Sequence, residues 1–368
     1  MKILLAGGGT AGHINPAIAI AEYAISADSA TEVLFVGKRG GMESRLVPQA
    51  GFDIKYIDIE GLRRSLSFEN VKTGFKLIRA VADCMKIIKD FKPDVVVGTG
   101  GYVCAPAVIA ANMKGIPTFI HEQNVFPGSA IKFLSKKSAI TAISFEESEK
   151  YLTSAKKLVL TGNPIKPDIM KITYSEARSK LGIGDEKFVV AFGGSLGAKK
   201  INDVITEYIG HINNRSDIRL CFATGMNNYD GVMSQLREAG IEPGKNVDVC
   251  RYIDNMDVIM NAADLVIARS GAITLSELCV IGKPSILVPS PYVTNNHQEY
   301  NARALADRGA AKMISEQDFD IHSLIEASEA ILSDPTASED MSRKALAIGK
   351  PDATEIIYRS LVDLAYNR

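Results

Sequence analysis

The sequence predicts an α/β protein made of two doubly wound parallel-sheet domains. Its 368 residues exceed the usual size of one domain, and 46% hydrophobic with 23% charged residues is an ordinary globular composition. Short apolar stretches alternate with helical stretches, which is the pattern of a parallel sheet covered by helices. Both halves begin with an apolar strand that runs into a glycine-rich loop, at residues 7–12 and 193–198. We therefore expect two similar domains facing each other across a cleft.

The first half contains seven expected strands. The first covers residues 2–6 and leads into the glycine loop, after which Asn15 is expected to cap the first helix and Pro16 to open it. A further helix is expected at residues 105–113. The other expected strands are residues 33–36, 54–57, 95–97, 118–120, 140–143 and 158–160.

The second half repeats this alternation. Residues 252–256 are expected to form a loop, residues 295–299 to open a late helix, and residues 351–366 to form a final amphipathic helix. The expected strands are residues 188–192, 218–223, 247–250, 265–268 and 285–288.

The domain boundaries follow from the repeated pattern. The first domain is expected at residues 1–163 and the second at residues 164–345, with Thr161-Gly162-Asn163-Pro164 as the hinge. Residues 346–368 are expected to form a C-terminal helix that packs back toward the first domain.

The bulk properties exclude several classes of protein. Five dispersed cysteines without a CxxC motif indicate reduced core thiols rather than a disulfide framework. No segment is long and apolar enough for a signal peptide or a transmembrane span. The net charge of −1 conceals an asymmetry, since residues 1–165 carry 20 Lys/Arg and 15 Asp/Glu.

Much of this positive charge lies at residues 61–92, which hold eight cations and three acidic residues among apolar side chains. Such a surface suits anionic lipid headgroups, although a solvated amphipathic helix packed on the sheet would have the same composition. The expected membrane contacts are Arg63, Arg64, Leu66, Phe68, Lys72, Phe75, Lys76 and Arg79.

The first glycine loop satisfies the dinucleotide-binding pattern GxGxxG through Gly7, Gly9 and Gly12. The next strand ends without the acidic residue that holds an NAD ribose. Arg39 is placed to meet a 2′-phosphate, so an NADP-dependent oxidoreductase remains an alternative.

The turn Arg269-Ser270-Gly271 follows an apolar strand and precedes a helix, so its backbone N–H groups suit an anion such as diphosphate. Glu277, one turn into the helix, is placed to accept hydrogen bonds from a ribose diol. Thr274 and Glu277 also spell a capping box, which is the alternative interpretation. Arg269 either contacts phosphate or braces the turn.

Several motifs occur together in this order: GGGTAGHINPA at 7–17, GTGGYV at 98–103, HEQN at 121–124, GNPI at 162–165, GGSLGA at 193–198, RSGAITLSE at 269–277 and HQEYNA at 297–302. On these motifs the chain resembles, from end to end, the MurG family of bacterial glycosyltransferases, which have the GT-B fold. The resemblance implies transfer of N-acetylglucosamine from UDP to the 4-hydroxyl of the muramoyl sugar of lipid I, giving lipid II with inversion.

The resemblance implies a donor site in which the uracil lies against the backbone near Ile253 and the ribose diol binds Glu277. The diphosphate binds the Ser195 hydroxyl and the backbone amides of residues 272–274, at the start of the helix that contains Glu277. Lys166 stands where the family usually has arginine, and lysine lacks the bidentate fork. The full set of expected donor contacts is Thr10, Ala11, Gly12, Asn124, Lys166, Ser195, Ile253, Arg269, Ala272, Ile273, Thr274, Leu275, Ser276, Glu277, His297 and Gln298.

For the acceptor, the first glycine loop is expected to receive the lipid diphosphate. His13, expected in that loop just before the helix, is the first candidate for the base that takes the acceptor proton, and Glu122 is the second. The alternative for His13 is that it only hydrogen-bonds to the loop backbone or to substrate phosphate. Asn124 is expected to position a sugar. The expected acceptor contacts are Gly9, Thr10, Gly12, Gly100, Gly101 and Tyr102.

No cofactor or metal is expected, because fixed amides and helix dipoles can stabilise the leaving diphosphate. Asp318-Phe319-Asp320 spells a DxD motif but precedes an expected helix, so it is interpreted as a cap. The expected partners are UDP-N-acetylglucosamine, lipid I, an anionic membrane surface at the cytoplasmic face and other cell-wall synthesis proteins, but not nucleic acid. A UDP-sugar epimerase and a non-catalytic UDP-sugar-binding protein at the membrane remain alternatives.

Overall fold

The computed structural model describes residues 1–61 and 68–366, with side chains described at residues 1–61 and 74–366. It divides into two compact units, Met1–Ile165 together with the segment that starts at Lys350, and Lys166–Gly349. The boundaries expected from the sequence, after residues 163 and 345, lie slightly earlier than the structural boundaries after residues 165 and 349. All five cysteines are free, and all but Cys250 are buried.

Within the described part of the first unit, seven parallel strands form a sheet in the order β3-β2-β1-β4-β5-β6-β7. Strand β1 pairs through Ile3 with Val33 on one side and with Val95 on the other. The strands are β1 Lys2–Ala6, β2 Glu32–Lys38, β3 Ile54–Ile57, β4 Val95–Gly98, β5 Thr118–Glu122, β6 Ile140–Ile143 and β7 Leu158–Leu160. All seven expected strands are present, and β5 continues through His121 and Glu122.

Helices cover both faces of this sheet because its strands are apolar on both sides. On one face α1 packs through Ile14 and Ile18. On the other face α3, α4 and α5 pack through Cys84, Val103 and Leu134 respectively. The helices are α1 Ala11–Ala27, α2 Glu43–Gln49, α3 Phe68–Phe91, α4 Gly101–Met113 and α5 Ser129–Ser135, with a 3-10 helix at Glu146–Tyr151.

The second unit has the same doubly wound arrangement, with its parallel strands in the order β10-β9-β8-β11-β12-β13. The strands are β8 Lys187–Phe192, β9 Ile218–Ala223, β10 Val247–Cys250, β11 Leu265–Ala268, β12 Ser285–Leu287 and β13 Lys312–Met313. Only the two-residue strand β13 lies outside the strands expected from the sequence. Its shortness leaves no apolar pattern to read.

Helix α7 shows how the second sheet is covered, since Ile201, Ile205 and Ile209 form one buried stripe against it. The helices are α6 Tyr174–Leu181, α7 Lys199–Ile212, α8 Tyr229–Glu238, α9 Met256–Ala262, α10 Ala272–Val280, α11 His297–Ala306, α12 Ile321–Leu332 and α13 Pro335–Ile348, with 3-10 helices at Pro167–Met170 and Thr294–Asn296. The final helix, α14 Ala353–Tyr366, belongs to the first unit. Its Ile357 and Leu361 join the core that contains Ile14.

The starts of helices α1 and α4 differ from the sequence-based expectation. Helix α1 begins at Ala11 with Thr10 as N-cap, so Asn15 and Pro16 lie inside it. The Thr10 carbonyl accepts the N–H groups of His13 and Ile14 at 3.1 and 3.2 Å, which closes the first turn without Pro16. Helix α4 likewise begins four residues before the expected position.

Helix α10 begins at Ala272, and its N-cap is Gly271. Thr274 is therefore the third residue of the helix, and the interpretation of Thr274 and Glu277 as a capping box is wrong. At α1 and α4, where the expected start is wrong, a glycine-rich stretch enters the helix and neither Thr10 nor Gly100 makes a side-chain cap.

Candidate active site

Each sheet has a switch point, where the strand order reverses and ligands of such folds bind. It lies between β1 and β4 in the first unit and between β8 and β11 in the second. The helices that follow these strands, α1, α4, α7 and α10, have no side-chain hydrogen bond at their N-caps. Helices α6, α12 and α13 are capped by Thr173, Asp320 and Asp334, whereas α2, α5, α8, α9 and α11 also lack a side-chain cap. Both switch points therefore present helix N-termini suited to anions.

The first glycine loop is held by hydrogen bonds to Glu43, a residue that no sequence motif indicates. Its carboxylate accepts hydrogen bonds from the N–H groups of Gly9 at 3.2 Å and Lys38 at 2.9 Å, and the residue is 1% exposed. A Cβ atom on Gly8 would lie 2.8 Å from this carboxylate. The loop is thus held to β2 by a buried side chain 34 residues away, and no local sequence pattern reveals such a contact.

His13 lies at the third position of α1, and not in the loop before it as expected. Its Nδ1 atom is 3.0 Å from Oε1 of Gln123, and its carbonyl accepts a hydrogen bond from the Thr99 hydroxyl at 2.7 Å. A Cβ atom on Gly100, whose φ is +108°, would lie 2.6 Å from the same Nδ1. Glycine at this position allows the imidazole to lie against the start of α4.

The acceptor loops expected from the sequence lie together. Gly101 begins α4 at φ +73°, and a Cβ atom there would lie 2.2 Å from the Gly8 carbonyl oxygen. Gly9 and Thr10 are exposed, and Tyr102 is half-buried. The start of α4 and the first glycine loop therefore form one continuous surface with little side-chain cover.

The polar tetrad after β5 is mostly buried rather than open. His121, Glu122 and Gln123 are buried, and Asn124 is half-buried. Burial lowers the pKa of His121 to about 4, so its imidazole is neutral at physiological pH. His121 Nε2 is 2.9 Å from the Gly162 carbonyl oxygen.

Glu122 uses both carboxylate oxygens to hold its own loop. One accepts hydrogen bonds from the backbone and side-chain amides of Asn124 at 3.0 and 3.2 Å. The other accepts the N–H of Gly128 at 2.8 Å. This arrangement suits a residue that orders residues 124–128 better than one that receives a substrate proton.

In the second unit, Glu277 lies one turn into α10 and is half-buried. Loss of hydration raises its pKa to about 7, and the positive charge of the exposed Lys166 acts in the opposite direction. The carboxylate is thus close to a cation and to the open start of α10. Among its neighbours on the helix, Ile273 and Thr274 are half-buried and Leu275 is buried, while the Ser276 hydroxyl donates to the Ala272 carbonyl at 3.0 Å.

Arg269 braces the turn before α10. Its guanidinium donates to the Val288 carbonyl at 3.0 Å and forms an ion pair with Glu316. Of the two roles that the sequence left open for Arg269, these contacts support the bracing role.

The other expected donor residues lie around the carboxyl edge of the second sheet. Ser195 is exposed in the loop after β8, whereas Ile253 is buried after β10. His297 contacts the Thr294 carbonyl through Nδ1 at 2.7 Å. Gln298 accepts the N–H of Ser290 at 2.9 Å, so its amide is oriented by the neighbouring loop.

The DxD sequence has the capping role that the sequence indicates. Asp320 accepts the Ser323 N–H at 2.8 Å as the N-cap of α12, and Phe319 is buried. The described residues contain no group of three or more His, Cys, Asp or Glu side chains arranged to hold a metal ion.

The basic segment is described in part. Arg63, Arg64 and Leu66 lie outside the described residues, as do the side chains of Phe68 and Lys72. On α3, Phe75 is 70% exposed and Ile78 68% exposed, and Arg79 is exposed. Lys76 is paired with Glu60 at 2.6 Å. Over the described residues, no helix combines the length and apolar character needed to cross a bilayer.

Comparison with known proteins identifies the family. The glycosyltransferase family 28 N-terminal domain matches residues 3–143, and the family 28 C-terminal domain matches residues 188–357. A UDP-N-acetylglucosamine--N-acetylmuramyl-(pentapeptide) pyrophosphoryl-undecaprenol N-acetylglucosamine transferase from Acetivibrio thermocellus is 46% identical over all of this chain and 99% of its own length. A protein of the same name from Caldanaerobacter subterraneus is also 46% identical, over 98% of each chain.

Solved structures agree with this relationship. The crystal structure of Acinetobacter baumannii MurG has a TM-score of 0.78 at 27% identity and covers 98% of this chain and 99% of its own. A UDP-GlcNAc 2-epimerase from Neisseria meningitidis has a TM-score of 0.68 at 17% identity, covering 99% of this chain and all of its own, and shares the fold alone. The chain therefore belongs to glycosyltransferase family 28 and has the GT-B fold of its MurG members.

Proposed function

We propose that this protein transfers N-acetylglucosamine from UDP-N-acetylglucosamine to lipid I and so forms lipid II. The observation that carries the proposal is the pair of open switch points, one in each unit, in a chain that matches such transferases over its whole length. Two anionic diphosphate substrates need two anion sites, and helix N-termini without side-chain caps supply them.

The donor is assigned to the second unit. The N–H groups at the start of α10 bind its diphosphate, and Glu277 accepts hydrogen bonds from the ribose hydroxyls. Ile253 supplies an apolar wall, and Gln298 is held ready to read sugar hydroxyls. Lys166 adds positive charge near Glu277.

The acceptor is assigned to the first unit, where its diphosphate binds at the start of α1 and its sugar lies near His13. The acceptor 4-hydroxyl oxygen attacks the anomeric carbon from the face opposite UDP, and its proton passes to His13. The bond between that carbon and the diphosphate oxygen breaks, and its electron pair leaves with UDP. Backbone amides stabilise the charge that develops on the leaving diphosphate.

His13 is assigned the base role, rather than Glu122, because of their contacts. Glu122 is buried and accepts three hydrogen bonds from its own loop, whereas His13 is half-buried at the glycine loop. Glu122 is therefore assigned to ordering residues 124–128, which include Asn124.

Because lipid I is anchored in a bilayer, the first unit is assigned to an anionic membrane surface through α3. Phe75 and Ile78 expose apolar side chains there beside Arg79. Apolar side chains next to cations are what a peripheral membrane site requires.

The test is UDP release from UDP-N-acetylglucosamine with and without a lipid I analogue. Glu277→Ala should weaken donor binding by about 10- to 100-fold, because this is the loss of affinity expected when hydrogen bonds to a charged group are removed. His13→Ala should leave the donor Kd unchanged and lower kcat by about 100-fold or more. Glu326→Ala removes an exposed glutamate on α12 and serves as the control.

Acceptor-independent turnover of the donor would instead indicate an epimerase or a hydrolase. If folded protein releases no UDP even with the acceptor, the transferase assignment fails and a binding protein remains.

A further inference from the structure

We propose that Gln123 is a positioning residue that fixes the ring tautomer of His13, so that Nε2 is the atom which receives the acceptor proton. Only one part of this proposal rests on the proposed function, namely that the proton received by Nε2 comes from the acceptor hydroxyl. The tautomer itself follows from a chain of hydrogen bonds that links His13, Gln123, His121 and Gly162.

The orientation of the Gln123 amide is set by Thr99. The Gln123 nitrogen lies 2.8 Å from the Thr99 carbonyl oxygen, and a carbonyl oxygen can only accept a hydrogen bond. The amide NH₂ group must therefore face Thr99. The amide oxygen then faces His13, which is the assignment given by the 3.0 Å contact.

The second proton of the same NH₂ group points to His121, whose Nδ1 lies 3.0 Å from the Gln123 nitrogen. His121 Nε2 faces the Gly162 carbonyl oxygen at 2.9 Å, so that ring nitrogen carries the hydrogen. His121 Nδ1 is consequently an acceptor, which agrees with a buried and neutral imidazole. Gln123 is thus locked on two sides by groups that accept its protons.

The consequence for His13 is a single tautomer. An amide oxygen accepts but cannot donate, so the Nδ1 atom of His13 must carry the hydrogen. The lone pair of the neutral ring then lies on Nε2. In a free imidazole both tautomers exist, and a partner on one nitrogen selects which of them is available for proton transfer.

The sequence also provides space for this contact. Gly100 has no side chain, and a Cβ atom there would lie 2.6 Å from His13 Nδ1 and 2.9 Å from Cε1. A side chain at residue 100 would push the ring away from Gln123.

The first test uses the wild-type protein with ¹⁵N-labelled histidine and long-range ¹H–¹⁵N NMR, which distinguishes protonated from unprotonated ring nitrogens. The five histidine spectra are separated by comparison with His13→Ala and His121→Asn. We expect His13 to be protonated at Nδ1 and His121 at Nε2. A His13 ring protonated at Nε2 overturns the proposal, whatever the enzyme activity.

The second test is Gln123→Met, which keeps the approximate length of the side chain but removes both amide functions. We expect the His13 signal to shift toward the Nε2-protonated form and kcat to fall by about 10- to 100-fold, as for loss of other partners that orient a histidine. The donor Kd should stay unchanged, because the donor is assigned to the second unit.

The matched control is Asn261→Leu, which removes another buried amide that donates to two backbone carbonyls, those of Ile169 and Asp257. It should destabilise the protein without altering the His13 signal. If Gln123→Met changes neither the tautomer nor kcat, the positioning role is excluded. If the tautomer is as expected in a protein with no transferase activity, the proposed function fails and the tautomer assignment stands.

Discussion

Arg269 and Glu316 form an ion pair across the base of the turn that precedes α10, and the same guanidinium donates to the Val288 carbonyl at 3.0 Å. Both side chains are largely shielded from solvent, at 13% and 14% exposure. The pair ties the turn to the end of β12 and to the loop after β13. The N–H groups at the start of α10 are held in position by these contacts.

Replacing Arg269 should therefore act on stability. Arg269→Met leaves the shielded Glu316 carboxylate without its partner, and we expect the free energy of unfolding to fall by about 2–4 kcal/mol in urea titrations. Adding Glu316→Leu should restore most of this loss, since the unpaired charge is removed. A weaker donor affinity in Arg269→Met at unchanged stability would instead place Arg269 on the phosphate.

Donor affinity should depend on pH through Glu277. Burial raises the pKa of this carboxyl to about 7, so below that pH it is mostly protonated and loses an acceptor for the ribose diol. We expect the Kd for UDP-N-acetylglucosamine to fall about five-fold between about pH 6 and pH 8, or about 1 kcal/mol. Calorimetric titration measures this, and Glu277→Gln should remove the pH dependence.

The same pKa shift has the opposite effect on the ligand-free protein. The folded form keeps its proton up to about pH 7, whereas an unfolded glutamate loses it near its ordinary value. This group therefore lowers stability as the pH rises from about 4.5 to about 7. A donor affinity that falls as the pH rises over the same range would contradict the assigned role of the carboxylate.

Membrane attachment should depend on the exposed apolar residues of α3. Phe75→Ser with Ile78→Ser should weaken binding to anionic vesicles by about 10-fold or more, because two side chains no longer enter the bilayer interface. Arg79→Ala should weaken it by about 1 kcal/mol, and Lys76→Ala by less, because Lys76 is paired with Glu60.

Tyr366→Ser removes an exposed aromatic residue from α14, the helix on the opposite face of the sheet, and serves as the control in flotation assays. Vesicle binding that survives substitution of Phe75, Ile78 and Arg79 together would exclude this part of α3 as the contact.

The sequence predicted the strands better than the helix starts, for a physical reason. Parallel strands buried on both faces are continuous apolar runs, as at residues 3–6 and 265–268, and such runs are visible in the sequence. The start of α12 could also be predicted, because Asp320 is a typical N-cap residue and its side chain caps this helix. Gly100, the N-cap of α4, has no capping side chain, and Thr10 makes no side-chain cap on α1, so neither start is marked as Asp320 marks that of α12.

The side-chain contacts that support the candidate site could not be predicted from the sequence alone. His13 and Gln123 are 110 residues apart, and Arg269 and Glu316 are 47 apart. Neither pair shares a local pattern. The first pair is brought together by the sheet, in which β4 lies between β1 and β5. The resemblance pointed to the glycine loops and Glu277, but not to Glu43 beneath the first loop.

The uncapped helices at the two switch points have a consequence for how the protein responds to its ligands. A side-chain cap stabilises a helix by about 1 kcal/mol, and α1, α4, α7 and α10 lack this contribution. A bound diphosphate can take the place of the missing cap and accept hydrogen bonds from these N–H groups. If the substrates bind as proposed, they supply part of the native hydrogen-bonding pattern, and we expect each unit to gain conformational stability when its ligand is bound.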